Sequence, residues 1–276
     1  MENKEREQIL EERKKYYSFI PALFEIVKCL KNRELCFLSQ KGEPKKKAVR
    51  FLMAWNLDYL KKHFKWINFD KNLMNTYHSV AKFKPNSFPI FDYDLRERTN
   101  EERYKEFNKN YEQFVEGYNF FLDLDGKKDF EKCYAETKEI KKILDEYQLP
   151  YYILNSSKTG FHFHIPSEYL PDYPIKELLE VTYKVMHNLK GIYDFSTIDI
   201  LNDLKRVCKV PYSCCDNSVC LPLSDTQFNS FSPEMVSIKN VLSKIMIKNR
   251  GLILRTHNLD EKTLKENVKK FINEFK

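Results

Sequence analysis

Two carboxylates at the end of an apolar run are the residues of this sequence best suited to hold a metal ion. The run Phe120–Leu122 leads into Asp123 and Asp125, which are separated by one leucine, and Gly126 ends it. A short apolar segment closed by a turn residue is typical of a buried strand. Because strand side chains alternate between faces, both carboxylates project the same way, about 6.5–7 Å apart. Their repulsion and desolvation favour a bound divalent cation, whereas a strand that frays into a polar turn is the simpler alternative.

A second group of polar residues surrounds a turn further along the chain. Ser156 and Lys158 precede Gly160, and an alternating strand follows on which His162 and His164 share one face. Backbone amides, a hydroxyl and an ammonium around a turn are suited to bind phosphate. The sequence therefore predicts a phosphate-binding turn with His162 beside it, and the alternative is a polar hairpin whose histidines are simply exposed. Zinc at the two histidines is not favoured, because no CxxC pair accompanies them.

A third segment places an acid ahead of several cations. Asp199 lies between two isoleucines, and Lys205, Arg206 and Lys209 follow it. Asp199 is the candidate for a third metal-binding carboxylate, with Asp203 as the second choice, and the cations are candidates for phosphate contacts. The alternative interpretation is a solvated helix face.

The cysteines do not have the spacing of a zinc site. Cys208, Cys214, Cys215 and Cys220 are close in the sequence but include no CxxC pair, so positions in a buried hairpin explain them more simply. We therefore predict no structural zinc. The seven cysteines are odd in number and unevenly spread, which favours a reducing compartment, and we expect a cytoplasmic protein.

Periodicity predicts the elements that must position these residues. Residues 2–31 are expected to be helical with a break at Pro21, and residues 35–55 to form a hairpin around a basic turn. The rest of the chain is predicted to contain helices over 57–66, 130–147 and 174–189, strands over 76–83, 120–125, 151–154 and 161–165, a strand that ends at Pro211, a hairpin strand over 219–223, and a mostly helical tail over 235–276. This order indicates one α+β domain built on a mixed sheet.

Composition restricts the class of protein. The chain has 276 residues and a formal charge of +7, which suits a polyanionic partner. With 21 Phe, 17 Tyr and only 6 Gly, it is typical of a packed globular chain and not of a disordered one. The longest uncharged apolar run, residues 16–24, is interrupted by Pro21 and is too short to cross a bilayer, so we expect no membrane partner.

Taken in order, the three polar groups resemble motifs of the archaeo-eukaryotic primase superfamily, and in particular of the catalytic (small) subunit of DNA primase. Its hallmarks are a hydrophobic strand ending in Asp-x-Asp, a Ser-Gly-x-x-Gly-x-His turn, and a hydrophobic-Asp segment followed by basic residues and Pro-x-Ser. Here they are Leu122–Asp125, Ser156–His162, and Ile198-Asp199 leading to Lys209–Ser213. Upstream, the segments 32–37 and 77–81 and Arg50 also fall where the small subunit has similar elements, so the resemblance covers about residues 30–223.

Several positions depart from the family pattern. Ser157 stands where glycine is usual, Thr159 where a basic residue is common, and Cys215 near the place of a histidine that follows Pro-x-Ser. No zinc knuckle follows Asp125, where only Cys133 is found, and the distance from Asp199 to Lys209 is shorter than in replicative relatives.

The resemblance implies a single primase catalytic domain over residues 1–276. Its expected parts are an N-terminal module to about residue 118, an RRM-like catalytic module over about 119–223, and C-terminal helices over about 224–276. It also implies template-directed nucleotidyl transfer on single-stranded DNA, from NTPs or dNTPs, with two Mg²⁺ or Mn²⁺ ions and, as a further partner, a primase large subunit.

Each candidate residue receives a role from the resemblance. Asp123, Asp125 and Asp199 are the expected metal ligands, and Glu34 and Arg50 are expected to position the nucleotide or strand. The expected triphosphate contacts are Ser156, Lys158, His162, Arg206 and Lys209. Two other functions stay open: a mobile-element or repair primase-polymerase that extends with dNTPs, and a catalytically silent subunit that only binds nucleic acid.

Overall fold

Two antiparallel sheets lie at the centre of the protein, in a computed structural model that describes residues 3–39, 48–67, 73–85, 105, 109–126, 129–156, 158–200, 203–243 and 251–276. The basic turn over 41–47, the segment 88–104 and Ser157 lie outside these residues. Within the described ranges, no helix combines the length and apolar character needed to cross a bilayer.

Helical spacing predicts several helices at or near their observed bounds. The helix expected over 57–66 has those bounds, and the one expected over 130–147 ends one residue earlier. The N-terminal helical segment breaks before Pro21, because proline is accommodated in the first turn of a helix, where its missing N–H is not needed. The helices are α1 (Asn3–Tyr17), α2 (Ile20–Cys29), α3 (Leu57–Trp66), α4 (Phe130–Glu146), α5 (Ile175–Ile192), α6 (Asp225–Asn229), α7 (Ile238–Ser243) and α8 (Glu261–Phe275).

Thirteen strands are assigned among the described residues. Most are short, and those from β9 onward have two or three residues each. They are β1 (Leu35–Ser39), β2 (Ala48–Leu52), β3 (Met74–Ser79), β4 (Ala81–Phe83), β5 (Val115–Tyr118), β6 (Phe120–Asp125), β7 (Tyr152–Asn155), β8 (Gly160–Ile165), β9 (Ile198–Asp199), β10 (Val207–Lys209), β11 (Cys214–Cys215), β12 (Ser218–Val219) and β13 (Pro222–Leu223).

The larger sheet has the βαββαβ connectivity of an RRM-like unit. Its strands lie in the order β13-β7-β8-β6-β9, with α4 between β6 and β7 and α5 between β8 and β9 in the chain. The α+β class and the RRM-like half are thus confirmed, but the sheet is antiparallel throughout and not mixed. The reason is that β6 and β7 run in the same direction while β8 lies between them, so no two neighbouring strands are parallel.

The smaller sheet has the order β10-β3-β1-β2 and takes one strand from the second half of the chain. The single strand expected to approach Pro211 is in fact two strands, β9 in the larger sheet and β10 in the smaller one. The strand expected over 76–83 is likewise divided, since β3 pairs with β1 whereas β4 pairs with β5. A module boundary near residue 118 therefore does not separate the two sheets.

One face of the larger sheet is covered by helices. Phe120 of β6 contacts Phe271 of α8, with ring centroids 6.2 Å apart, and Phe161 of β8 stacks on Tyr134 of α4 at 5.8 Å. Side chains at alternate positions point to the opposite face, which carries Asp123 and His162. Burial of the apolar face thus fixes the direction of the polar one.

The end of β6 depends on a glycine. The Gly126 N–H donates to the Thr159 carbonyl at 3.2 Å, and a Cβ on Gly126 would lie 2.5 Å from that oxygen and 2.8 Å from Cys133 Cβ. The turn that contains Thr159 therefore packs directly on the end of the strand that carries the two acids.

Replacing Gly126 by alanine is expected to lower the free energy of unfolding by about 1–3 kcal/mol, because backbone atoms must move to admit the Cβ. Gly191→Ala is the control. Apart from the chain neighbours of Gly191 and the backbone of its own helix, no heavy atom of a described residue lies within 4 Å of a Cβ added there. This control variant should change stability by less than about 1 kcal/mol, in the stabilising direction. Urea unfolding of both variants measures the difference, and equal effects would contradict the close packing at Gly126.

Candidate active site

The central strand of the larger sheet brings two of the three sequence motifs next to the third. Asp123 of β6 pairs with His162 of β8 on one side and with Asp199 of β9 on the other. Directly opposite residues in neighbouring strands share a face of the sheet, so the three side chains meet on the face opposite the helices. There His162 is buried, Asp123 is 17% exposed and Asp199 is 54% exposed.

The Asp123 carboxylate contacts two side chains, those of His162 and Arg206. Its Oδ1 lies 3.3 Å from His162 Nε2, and its Oδ2 accepts a hydrogen bond from Arg206 Nη2 at 3.1 Å. Burial alone would raise the pKa of Asp123, but His162 and Arg206 outweigh it and hold the pKa below its usual value. The Asp123 carboxylate is therefore ionised at neutral pH.

Arg206 joins the two facing acids. The same Nη2 atom that reaches Asp123 lies 3.3 Å from Asp199 Oδ2. One guanidinium nitrogen thus lies between carboxylates from adjacent strands, and it compensates the repulsion that the sequence predicted for clustered acids.

Asp125 and Asp203 are placed differently from Asp199. Asp125 is the exposed last residue of β6, on the same face as Asp123, and its N–H donates to the Thr197 carbonyl at 3.0 Å. Asp203 uses Oδ1 to accept the Lys205 N–H at 2.8 Å, so its carboxylate caps its own turn. The geometry therefore places Asp199, and not Asp203, beside Asp123.

The acids suit a hard divalent cation in their chemistry. Among the described residues, no three His, Cys, Asp or Glu side chains are grouped closely enough to hold a metal ion as they stand. Arg206 instead supplies the positive charge between Asp123 and Asp199. Carboxylate oxygens are the ligands that Mg²⁺ and Mn²⁺ prefer, and the site already stabilises one cationic group, so the donor set fits such an ion.

A buried glutamate that the sequence did not single out holds the strand of Asp199. Glu136 of α4 accepts hydrogen bonds from the N–H groups and hydroxyls of both Ser196 and Thr197, at 2.6–3.0 Å. Lys190 of α5 adds a bond to the Ile198 carbonyl at 2.8 Å. Two helices thus fix the short strand β9. In the sequence, Glu136 is visible only as a glutamate on the buried face of a predicted helix. Its hydrogen-bond partners become apparent only in the fold.

Replacing Glu136 by glutamine is expected to lower the free energy of unfolding by about 2 kcal/mol at neutral pH, because an amide cannot accept all four hydrogen bonds. Burial raises the pKa of Glu136, but the Ser196 and Thr197 bonds outweigh it and lower the pKa overall. Its stabilisation is therefore present above the ordinary glutamate pKa and is lost as the pH falls through the lowered value.

Urea unfolding of wild type and Glu136→Gln at neutral and acidic pH measures this effect. The difference between the two proteins should shrink in acid, and Glu139→Gln, an exposed position on the same helix, should differ little from wild type at either pH. A difference that stays constant with pH would contradict the role of the ionised carboxylate.

The predicted phosphate-binding turn lies at the same end of the sheet as Asp125. Gly160 pairs with Asp125, the Ser156 N–H donates to the Gly160 carbonyl at 2.9 Å, and Lys158 is half-buried. Ser156 is itself buried, with 8% of its surface exposed, so its side chain forms part of the turn's interior. Lys158 is the cation that this turn places nearest the end of β6.

Three predicted site residues lie apart from the Asp123 group. Cys208 is the residue of β10 on the His78 side, so Lys209, its neighbour, points to the other face, where its ammonium lies 4.0 Å from the Tyr77 ring centroid. Arg50 forms a bidentate pair with buried Glu34, at 2.9 and 3.0 Å. Arg50 also donates to the Lys205 carbonyl at 2.8 Å, so this pair supports the turn that precedes Arg206.

Two further histidines are buried behind His162. His164 lies between Phe121 and Tyr152, stacked on Tyr152 at 4.7 Å, and burial lowers its pKa well below the usual value. Burial likewise lowers the pKa of His78 to about 3. Both therefore remain neutral. His162, by contrast, lies 3.3 Å from the Asp123 carboxylate, a difference that the alternation of His162 and His164 did not reveal.

No protein-family model matches the sequence, and no curated protein matches it. Among solved structures, the polymerase domain from Mycobacterium tuberculosis Ligase D, in complex with DNA, superposes with a TM-score of 0.52 at 13% identity, over 86% of this chain and 88% of that one.

Two structures of the primase RepB′ superpose less well. The first has a TM-score of 0.38 at 9% identity and covers 81% of this chain and 62% of that one. The second, the catalytic domain in complex with initiator DNA, has a TM-score of 0.37 at 10% identity and covers 81% and 93%.

The protein therefore has an archaeo-eukaryotic primase-type fold, as the sequence motifs predicted. This conclusion rests on the structural similarity to the polymerase domain of Ligase D.

Proposed function

We propose that this protein is a primase-polymerase that carries out template-directed nucleotidyl transfer on single-stranded DNA. The observation that carries the proposal is the meeting of Asp123, Asp199, His162 and Arg206 on the face of the RRM-like sheet opposite its helices. The primase-type fold supports the proposal. The four residues that meet also belong to the three motifs on which the resemblance rests.

The acids have the role of metal ligands in this proposal. Asp123, Asp125 and Asp199 would hold two Mg²⁺ or Mn²⁺ ions, with Asp123 already ionised at neutral pH. Such ions lower the pKa of an attacking 3′-hydroxyl and neutralise charge on the triphosphate. Glu136 and Lys190 keep Asp199 opposite Asp123, so this pair is pre-organised by the fold.

The cations around the acids are assigned to the triphosphate. Arg206 presents a planar guanidinium, which suits bidentate phosphate contacts, and Lys158 lies in the turn at the end of β6. His162 keeps the Asp123 carboxylate oriented through Nε2. Ser156 contributes to the turn, whereas Lys209, Glu34 and Arg50 act on the surrounding structure and not on the nucleotide in this assignment.

A narrower function is the catalytic subunit of a DNA primase, which would use NTPs and act with a large subunit. The competing function is a repair or mobile-element polymerase that extends primers with dNTPs. The likeness to a polymerase domain bound to DNA favours the competing function over the narrower one. A catalytically silent subunit is disfavoured by the placement of Asp123, Asp125 and Asp199 on one face of the sheet.

One assay separates these functions. The full chain is incubated with unprimed or primed single-stranded DNA, with NTPs or dNTPs, and with Mg²⁺ or Mn²⁺. Primers made from free nucleotides would support the primase, and long extension without initiation would support the polymerase. Metal-independent DNA binding without incorporation under any condition would contradict nucleotidyl transfer and leave the silent subunit.

A further inference from the structure

Helix α3 has a second aromatic face that points to solvent. Its buried face carries Leu60 and Phe64, and Phe64 contacts the rings of Tyr17 and Phe37 at 5.1 and 5.8 Å. The opposite side carries half-buried Tyr59 and exposed Lys62 and Trp66 at spacings of three and four residues, which align along one face of a helix.

Trp55 extends this face at the start of the helix. It directly precedes the N-cap residue Asn56 and is 46% exposed, and Trp66 at the other end is 59% exposed. The chain has only two tryptophans, and both lie here. Trp55, Tyr59, Lys62 and Trp66 together are called the α3 stripe. It extends about 16 Å, at about 1.5 Å per residue.

The exposure of the two tryptophans is unusual for this residue type. Tryptophan is highly buried on average, because its large ring gains the most from leaving water. The packing of α3 on the smaller sheet and on α1 is already provided by Leu60 and Phe64. Trp55 and Trp66 therefore present much of their ring surface to solvent, where a ligand can reach it.

The charge of this surface identifies the kind of ligand. Lys61, Lys62 and Lys65 are exposed on α3 against a single exposed acid, Asp58, and the Lys62 ammonium lies 5.3 Å from the Tyr59 ring centroid. Protein interfaces are enriched in aromatic residues but depleted in lysine, so lysines among tryptophans are a poor match to a protein partner. Phosphates paired with lysines and bases stacked on aromatic rings are the pattern of single-strand binding.

We propose that the α3 stripe binds single-stranded nucleic acid, with bases stacked on Trp55 and Trp66 and phosphates on the neighbouring lysines. Only the identity of the strand as a template rests on the proposed function. The surface is joined to the candidate active site through β2, since Arg50 of that strand holds the Lys205 carbonyl next to Arg206. A nucleic-acid strand bound on α3 would thus lie on the helix that directly follows β2 in the chain.

Intrinsic fluorescence tests the proposal directly, because both tryptophans of the chain belong to the α3 stripe. Titration of the full chain with oligo(dT) and with oligo(rU) should quench tryptophan emission saturably, whereas a polyanion without bases should not. Trp55→Phe and Trp66→Phe should each keep part of the quenching, which shows that both rings take part.

Affinity for a labelled strand, measured by anisotropy, gives the second readout. Trp66→Ala should weaken binding by about tenfold, and Lys62→Gln should flatten the dependence of affinity on salt by about one phosphate contact. Tyr183→Ala, which removes a 37% exposed aromatic residue on α5, is the matched control and should bind like wild type. Circular dichroism confirms that the variants are folded.

Two results would overturn the inference. Saturable binding of the labelled strand without quenching would place the strand elsewhere, and unchanged affinity in folded Trp66→Ala would do the same. Self-association of the wild type that Trp66→Ala removes, without an effect on the strand, would assign the surface to a second copy of the chain. If quenching occurs but no nucleotide is incorporated under any condition, the proposed function fails and the α3 surface stands.

Discussion

Replacing Asp123 by asparagine is expected to reduce nucleotide incorporation by about a thousandfold, since metal-ion stabilisation of the transition state contributes several kcal/mol. Asparagine keeps the shape of the side chain but removes the charge that His162 and Arg206 surround. Primer extension with saturating dNTPs and Mn²⁺ measures the loss, and the variant's circular dichroism spectrum should match that of the wild type.

The third acid is tested in the same assay. Asp199→Asn should lose activity to a similar degree, because Asp199 pairs with Asp123 across the sheet. Asp203→Asn should retain most of it, because that carboxylate accepts the Lys205 N–H within its own turn. Activity of Asp123→Asn close to wild type would refute the metal assignment, and the reverse order of the other two variants would move the third ligand to Asp203.

Replacing Arg206 by alanine is expected to tighten Mn²⁺ binding by about tenfold, which corresponds to about 1.4 kcal/mol. The guanidinium lies 3.1 Å from Asp123 and 3.3 Å from Asp199, so it competes with any cation for the same carboxylates. Without it, the two acids repel each other until a metal ion binds, and the metal-free protein should therefore unfold at a lower temperature.

Calorimetric titration with Mn²⁺ and thermal unfolding with and without the ion measure both effects. Stabilisation by Mn²⁺ should be larger in Arg206→Ala than in wild type. Arg206→Lys is the control, because it keeps the charge but loses the planar fork, and its Mn²⁺ affinity should lie between the two. Because Arg206 is also assigned to the triphosphate, Arg206→Ala should raise the KM for nucleotide. Weaker Mn²⁺ binding in Arg206→Ala would contradict competition at the acids.

Local patterns in the sequence account for much of the fold. Helix α3 was predicted with its observed bounds, and α4 was predicted within one residue, because amphipathic spacing and N-cap residues are encoded over a few neighbouring positions. The alternation along Phe120–Asp125 likewise placed Asp123 and Asp125 on one face. The primase-type fold was predicted in a different way, from the resemblance of the three ordered motifs to a known superfamily.

Pairing between distant strands limited the prediction elsewhere. The stretch after Asp199 reads as one approach to Pro211, but β9 and β10 join different sheets, and Lys209 then points away from Asp123. Alternation within one strand cannot show which sheet a strand of two or three residues will join. That choice depends on partners far away in the chain.

The sequence by itself determined which residue types were available for chemistry and the order in which they occur. Only the tertiary structure decided that Asp199 is the acid beside Asp123, and that Arg206 lies between them. It also showed that Glu136, one of several acids on a charged helix, accepts the hydrogen bonds that support β9. The physical reason is that helix and strand patterns are set by neighbours in the chain, whereas charge compensation and burial are set by neighbours in space.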